Sequence, residues 1–293
     1  MLNLVVGGSV YISYYNFVVR YKKLKYNITE ELINRIERKI YKNEKISIND
    51  IEKMSGYSKR YIQSIFKDVT GLKISSYIRK RRLSHSAILL RLTKRSVSHI
   101  SLDLNFPSLQ TFTRAFTREF NVSPLQYRKD PFFDCSVLIP PFSLNPQEYI
   151  LRKDVIPPLK LNVKEFRLKE TLLGSKLTRA EKIRKKEIET VLSEKTEAFV
   201  ITYLIPESTL EHTVLLKTLI GSRHDTPNYQ REFTECWIVY FRGLWEDYVR
   251  FGRFLTFNID VKLAGTVIEQ ITLFGQDGNH GQKYSVKMYF PVQ

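Results

Sequence analysis

Two similar pairs of short helices, about 50 residues apart, are predicted in the first half of the chain. Their caps and turns are marked by Ser47, Gly56, Ser58 and Gly71 in the first pair and by Asn105, Phe106 and Ser108 in the second. Two short helices joined by a tight turn are typical of a helix-turn-helix. Because a single copy arises by chance in helical sequences, the duplication constrains the fold more than either copy alone.

The helices around these pairs complete an all-α region. Leu32, Ile33, Ile36 and Ile40 recur at helical spacing and predict an amphipathic helix that starts at Ile28. A longer helix over residues 75–92 connects the two pairs. The apolar residues expected in the core of the motifs are Ile62, Ile65, Phe66, Phe106, Phe112 and Phe116. We therefore predict an all-α double helix-turn-helix domain over residues 28–130.

The positive charge of the chain is concentrated in the same region. Residues 1–130 hold 25 basic and 10 acidic side chains, whereas residues 131–293 hold 22 and 20. No carboxylate occurs between Asp68 and Asp103, a stretch that contains Lys73, Arg79, Lys80, Arg81, Arg82, Arg91, Lys94 and Arg95. A solvated helix face would mix the two signs, so this distribution indicates contact with a polyanion such as nucleic acid.

The first 27 residues lack such a pattern, and we expect them to form a poorly ordered extension. Residues 2–19 are apolar but fall short of the roughly 20 residues that a membrane-spanning helix needs, and they lack the features of a signal peptide. No membrane partner is expected. Cys135 and Cys236 are about a hundred residues apart, which indicates neither a disulfide framework nor a zinc site, so we expect a cytoplasmic protein.

A change of pattern marks a second domain. Six of the eleven prolines lie between residues 131 and 158, which predicts a linker over residues 131–154. Beyond it, the spacing predicts strands at 161–168, 199–205, 236–242, 264–274 and 284–292 and helices at 179–192 and 245–254. Residues 179–189 have the composition of a solvated amphipathic helix. The second domain, residues 155–293, is therefore predicted to be α+β.

Short motifs in the helical region carry a resemblance to a known family. They are Gly56-Tyr57-Ser58-Lys59, Phe66-Lys67-Asp68-Val69-Thr70-Gly71, Tyr77-Ile78-Arg79, Arg81-Arg82-Leu83, Leu90-Arg91-Leu92-Thr93, Gln110-Thr111-Phe112-Thr113-Arg114-Ala115-Phe116, and Pro124, Tyr127 and Arg128. On these residues, the region 28–130 resembles the DNA-binding domain of the AraC/XylS family of transcription activators, within it the Mar/Sox/Rob group. The resemblance implies a monomer that places two recognition helices in successive major grooves of double-stranded promoter DNA and contacts RNA polymerase.

The resemblance also implies DNA contacts by position. They are Lys59, Arg60, Tyr61, Gln63, Ser64 and Lys67 on the first recognition helix, Arg79 on the connecting helix, and Leu109, Gln110, Thr111, Thr113 and Arg114 on the second. Arginine can read guanine, glutamine can read adenine, and threonine can meet a thymine methyl group or a phosphate. Arg60, Ser64 and Leu109 stand where the group has Trp, Arg and Gln, so we expect an altered or relaxed DNA site.

The second domain resembles the GyrI-like ligand-binding domain. The likeness is clearest in Gly265-Thr266-Val267-Ile268-Glu269-Gln270 and in the closing strand from Val286 to Pro291. It implies a site that encloses a hydrophobic or cationic small molecule between aromatic faces above a carboxylate. Glu269 is the matching carboxylate, and Trp237, Tyr240 and Trp245 are the candidate aromatic residues.

No catalytic residue, cofactor motif or metal site is predicted. The five histidines lack metal-binding spacing, although His85 and His99 fall in the DNA-binding half, where contact with phosphate is an open interpretation. We predict a sequence-specific transcription regulator, an activator, whose second domain binds a small-molecule effector or a regulatory partner. Two alternatives remain open, namely a nonspecific architectural DNA-binding protein and a GyrI-like hydrolase fused to a DNA-binding domain.

Overall fold

The structure, a computed structural model, describes residues 6–131, 133–134, 137–140, 149–172, 178–259, 262–263, 265–277 and 281–292. The helices are α1 Val6–Tyr41, α2 Ile48–Ser55, α3 Lys59–Thr70, α4 Ile74–Leu92, α5 Val97–Asp103, α6 Leu109–Phe120, α7 Pro124–Lys129, α8 Arg179–Leu192 and α9 Trp245–Asn258. The strands are β1 Phe133–Asp134, β2 Leu151–Ile156, β3 Leu159–Thr171, β4 Glu197–Ile205, β5 Thr213–Arg223, β6 Tyr229–Arg231, β7 Thr234–Leu244, β8 Lys262–Leu263, β9 Thr266–Asp277 and β10 Gly281–Pro291. Two compact units divide within α4, between Arg82 and Leu83.

The first unit packs α1, α2, α3 and the start of α4 around one apolar cluster. Its buried members are Leu32, Ile33, Ile36, Ile40, Ile51, Ile62, Phe66, Ile74, Tyr77 and Ile78. The rings of Phe66 and Tyr77 meet edge to face, with centroids 5.5 Å apart. The predicted apolar face of α1 is therefore confirmed as the face that packs against the first helix-turn-helix.

Helix α1 begins earlier than its apolar spacing predicts. It starts at Val6 rather than at Ile28, so residues 6–27 continue the helix instead of forming the poorly ordered extension expected from the sequence. Once a helix is nucleated, each added residue gains a backbone hydrogen bond, so a helix can extend beyond the segment whose apolar spacing predicts it. Residues 1–5 lie outside the described residues. Within the described part of the chain, no helix combines the length and apolar composition that crossing a membrane requires.

The second helix-turn-helix belongs to the second unit and repeats the first. Helices α3 and α6 are each 12 residues long and begin 50 positions apart, at Lys59 and Leu109. Left-handed backbone at Gly56 and Asn105 makes the turn before each of these helices. Rings on α6 and α7 fill the core, with the centroids of Phe116 and Phe120 4.4 Å apart. The predicted duplication is confirmed.

The second unit contains an antiparallel eight-stranded sheet. Its strand order is β2-β7-β10-β9-β4-β5-β3-β6. The order contains the same strand–helix–strand–strand arrangement twice, as β3-α8-β4-β5 and as β7-α9-β9-β10, and in each copy the last strand lies between the other two. The copies join where β4 pairs with β9, in the middle of the sheet. This repeat in topology has no counterpart in the motifs found by sequence.

The sheet curls strongly. Strand β2 lies at one edge and β3 six strand spacings away, about 29 Å in a flat sheet. Only Pro157 and Pro158 separate Ile156 from Leu159, and three residue steps reach at most about 11 Å. The two edges must therefore approach one another. The curl buries an inner cluster of Ile156, Leu159, Leu161, Phe199, Ile201, Leu219, Cys236, Ile238, Ile268 and Tyr289.

Most of the predicted elements of the second half are confirmed, with local corrections. The strands β3, β4, β7, β9 and β10 and the helices α8 and α9 cover the predicted segments. Strand β5, in the interior of the sheet, was not predicted. Strands β1 and β2 lie inside residues 131–154, so the described parts of this segment are partly paired strands rather than a plain linker. The domain boundaries drawn from the sequence remain a prediction.

Candidate nucleic-acid interface

The first helix-turn-helix presents one face of α3 to solvent. Ser47 caps α2 in a capping box with Asp50, and Ile62, Ile65 and Phe66 hold the inner face of α3 in the core. The predicted contact residues on α3 are all exposed, namely Lys59, Arg60, Tyr61, Gln63, Ser64 and Lys67. The packing of α3 therefore leaves every predicted contact residue on this helix accessible to a ligand.

The second helix-turn-helix presents an equivalent face. Ser108 caps α6 and accepts a hydrogen bond from the Thr111 amide at 3.1 Å. Leu109, Gln110, Thr111 and Arg114 are exposed, and Thr113 is half-buried. Arg79, the DNA contact predicted on the connecting helix, is also exposed on α4. Base and phosphate contact by these residues remains a prediction that their exposure permits.

At least four of the eight cations in the carboxylate-free stretch pair with or donate to groups of the protein itself. Arg81 pairs with Glu37, Arg82 donates to the Glu44 carbonyl, Arg91 donates to the Arg128 carbonyl, and Arg95 pairs with Asp103. The prediction that the whole stretch contacts a polyanion is therefore wrong for these four. Their partners are mainly carbonyls or carboxylates distant in sequence. His85 is also buried, so it does not present its ring to phosphate, whereas His99 is exposed.

One buried ion pair joins α1 to α4 in the first unit. The Arg81 side chain is 2% exposed, and its Nε and Nη2 atoms donate to the two Glu37 carboxylate oxygens, each at 2.8 Å. The Tyr77 hydroxyl donates to Glu37 Oε1, also at 2.8 Å. A bidentate pair with a third donor fixes both side chains in one geometry. These contacts hold the helix that precedes the first motif against the helix that follows it.

In the second domain, Glu269 lies on the central strand β9 and faces the helices. It is almost fully buried, and its carboxylate pairs with Arg184 on α8 and accepts a hydrogen bond from the Tyr248 hydroxyl on α9. Arg184 also pairs with Glu181 at 3.4 Å. The Arg184 guanidinium carbon lies 5.6 Å from the Trp245 ring centroid and 5.8 Å from that of Tyr248. We call these five residues the Arg184 cluster.

The Arg184 cluster carries two carboxylates and one guanidinium. Burial raises the pKa of the Glu269 carboxyl above its ordinary value and outweighs the opposing attraction of Arg184, while Glu181 adds to the increase. Burial lowers the pKa of Arg184, but the two carboxylates reverse this and hold it above its ordinary value. Arg184 therefore stays a cation, and Glu269 holds its proton to a higher pH than an ordinary glutamate carboxyl does.

The Glu269→Gln variant is expected to remove a pH dependence of stability. Because the folded protein holds this proton more tightly than the unfolded chain, the wild type loses stability as pH rises from about 4.5, the ordinary value of the carboxyl, through the raised pKa. Glutamine carries no such proton. Unfolding midpoints measured from acidic to neutral pH should show the wild type falling relative to the variant. Parallel curves for the two proteins would contradict the assignment.

The predicted ligand residues are only partly brought together. Trp245 lies beside Glu269 in the Arg184 cluster. Trp237 faces the same side of the sheet but lies opposite Phe290, two positions along β10 from Met288, the partner of Glu269. Tyr240 lies on the same face as Ile238 and is 46% exposed, so it is on the opposite side of the sheet from Glu269. Tyr240 therefore does not share a site with Glu269.

Arg184 and Glu181 were not predicted as part of a site. The interpretation of residues 179–189 as a solvated helix is wrong for these two side chains, which are 11% and 12% exposed. Their positions signal this, because 181, 184, 188 and 192 follow the helical repeat, and Ile188 and Leu192 are its buried apolar members. Charged residues in phase with an apolar stripe indicate a buried pair.

Comparison with known proteins matches residues 51–130 to the family model described as "Helix-turn-helix domain". The chain is 46% identical over 99 residues to the right origin-binding protein of Escherichia coli (strain K12). This alignment covers 34% of this chain and 34% of that protein. It is 40% identical over 116 residues to the F1 operon positive regulatory protein of Yersinia pestis, covering 40% and 38%. It is 38% identical over 104 residues to the probable transcription factor PqrA of Proteus vulgaris, covering 36% and 85%.

The family model matches the helical part of the chain. The chain spans about a third of the length of the right origin-binding protein, and the alignment with PqrA takes in most of that shorter protein. The match to the family model begins within α2 and contains the rest of the first motif, all of the second, and both exposed recognition faces. By these matches and by the motifs that its helices present, the protein belongs to the AraC/XylS family of helix-turn-helix transcriptional regulators.

Proposed function

We propose that the protein is a sequence-specific DNA-binding transcription activator that places α3 and α6 in successive major grooves of promoter DNA. One observation carries the proposal: two helices of equal length, 50 positions apart, expose polar and cationic side chains while their other faces are buried. In helix-turn-helix proteins, residues near the start of such a helix contact base edges. Activation is supported by the name of the Yersinia pestis relative, a positive regulatory protein.

Selection from a random duplex library at physiological salt tests this proposal. We expect enrichment of a motif with two half-sites about one helical turn apart. Gln63→Ala and Arg114→Ala should each weaken binding to the selected site by about 1–3 kcal/mol and relax preference in one half-site only. Each variant should lose both affinity and base preference, because a side chain that hydrogen-bonds to a base edge distinguishes that base from the others.

A matched control lies on the same helix as Arg114. Arg118 is also exposed, but it lies one turn further from the start of α6, so Arg118→Ala should change affinity equally for all sequences. Binding without enrichment over bulk DNA would contradict sequence-specific regulation and favour an architectural role. Comparing selected with scrambled duplexes is necessary because phosphate contacts dominate affinity in both cases.

For the second domain, we propose GyrI-like effector binding at the Arg184 cluster. In this proposal Arg184 competes with a cationic effector for the Glu269 carboxylate. The cluster has the carboxylate and the aromatic rings that attract an organic cation. Its guanidinium already occupies the carboxylate, so a cationic effector would have to exchange with it. Among the described residues, the buried Nε atom of Arg184 and Nε1 atom of Trp245 have no hydrogen-bond acceptor. If Arg184 moved away, its Nε atom would leave the site, and the Nε1 atom of Trp245 would remain there without an acceptor.

A further inference from the structure

The loop between β4 and β5 contacts the start of the second helix-turn-helix, within the second unit. The Lys94 amide donates to the Ser208 carbonyl at 2.8 Å. Arg95 Nη1 donates to the Leu210 carbonyl at 2.6 Å. Both acceptors are backbone atoms of the loop 206–212, and both donors belong to the segment that leads from α4 into α5. The loop therefore binds the segment between the end of the connecting helix and the start of the second motif.

A third contact reaches the end of α5. The carboxylate of Asp103 pairs with Arg95 and makes a hydrogen bond of 3.1 Å with Nε2 of His212. The Arg95 side chain is only 9% exposed. Asp103 is the last residue of α5, two positions before Asn105, whose left-handed backbone turns the chain toward α6. His212 thus acts on the residue next to the turn that orients the second recognition helix.

The loop is fixed on its own side as well. The Ser208 hydroxyl donates to the Glu211 carbonyl and accepts from the Glu211 amide, each at 2.9 Å. The His212 carbonyl accepts a hydrogen bond from the Leu172 amide, also at 2.9 Å, at the end of β3. An ordered loop with contacts on both sides transmits a displacement of the sheet, because packed protein interiors do not deform continuously.

We infer that the loop 206–212 positions the second helix-turn-helix on DNA, with Arg95, Asp103 and His212 as positioning residues. This inference rests on the proposed DNA-binding function and assigns a route for regulation by the C-terminal domain. Among the described residues, the partners of the loop in the helical region are Lys94, Arg95 and Asp103, which lead into the second motif, so its influence falls on α6. The structure thereby assigns an asymmetry: the C-terminal domain adjusts the half-site read by α6 and leaves the half-site read by α3 unchanged.

The experiment uses the full chain and three duplexes: the selected site and two derivatives, each with one half-site scrambled. The half-site whose base preference is relaxed by Gln63→Ala is assigned to α3, and the half-site relaxed by Arg114→Ala is assigned to α6. His212→Ala removes one hydrogen bond to a charged partner, so we expect about three- to tenfold weaker binding to the selected site. The loss should persist when the α3 half-site is scrambled and disappear when the α6 half-site is scrambled.

Two further variants separate positioning from general damage. His212→Gln retains a side-chain donor for Asp103 and should restore most of the affinity. Glu211→Ala changes the same loop, but the Glu211 side chain pairs with Lys169 in the same domain, so it should bind like the wild type. Unchanged affinity of His212→Ala, or equal losses on both scrambled duplexes, would overturn the inference while wild-type selectivity stands. Wild-type binding without preference for the selected duplex would overturn the proposed function, and the inference with it.

Discussion

Replacing Glu37 with alanine is expected to destabilise the first unit by about 3–5 kcal/mol, because removing one partner leaves a buried charge uncompensated. The Arg81 guanidinium that Glu37 holds is almost fully buried, and the Tyr77 hydroxyl loses its acceptor in the same step. The effect should extend to DNA binding. Since α3 packs in the same cluster as α1 and α4, preference in the half-site read by α3 should weaken, and that in the α6 half-site should persist.

An exposed ion pair on the same helix provides the control. Glu31 pairs with Arg35 one turn away, and the side chains are 66% and 40% exposed, so Glu31→Ala should change stability by about 0–1 kcal/mol. Denaturant unfolding of both variants measures the difference. If Glu37→Ala were no more damaging than Glu31→Ala, the Glu37–Arg81 pair would not hold the helices as described.

Replacing Arg184 with leucine is expected to destabilise the second unit by about 3–5 kcal/mol, because Glu181 and Glu269 are then buried without their cation. The neighbouring residue is a matched control. Lys185 pairs with Glu189 at 3.9 Å near the surface, and Lys185→Ala should change stability by about 0–1 kcal/mol. Equal effects of the two substitutions would contradict the buried position of Arg184.

Two further variants test the pairing in the Arg184 cluster and whether the cluster also binds a cation. In Arg184→Leu/Glu269→Leu, the buried Arg184–Glu269 pair is replaced by apolar groups, so part of the lost stability should return, while Glu181 stays buried without its cation. In Arg184→Ala, a guanidinium-sized space opens beside Glu269, and millimolar methylguanidinium should raise the unfolding midpoint of this variant but not of the wild type. Failure of that rescue would contradict the proposed exchange of Arg184 for a cationic effector.

The sequence predicts the elements whose signals are local. The spacing of Leu32, Ile33, Ile36 and Ile40 identifies the packed face of α1, and Ser47 and Ser108 identify helix starts, because periodicity and caps depend on neighbours within a few positions. The exposed residues of α3 and α6 follow from the same repeat. Strand β5 was missed because its residues do not alternate between apolar and polar types, although their burial partly alternates.

Long-range contacts account for the other corrections. Arg81 meets Glu37 across 44 positions, and Arg184 meets Glu269 across 85. A cation in a basic run and a cation in a charged helix have the same local appearance whether they face solvent or a distant carboxylate. The run between Asp68 and Asp103 therefore indicated more contact with a polyanion than the packing leaves accessible.

By itself, the sequence determined that this protein has two helix-turn-helix motifs, with the recognition faces that assign it to a family of transcriptional regulators. The tertiary structure alone decided that the sheet curls, that Arg184 occupies the carboxylate predicted for an effector, and that His212 lies against Asp103, 109 positions away. The physical reason is the range of the interactions. Caps and helical faces are set within a few residues, whereas burial and charge pairing depend on which distant segments the folded chain brings together.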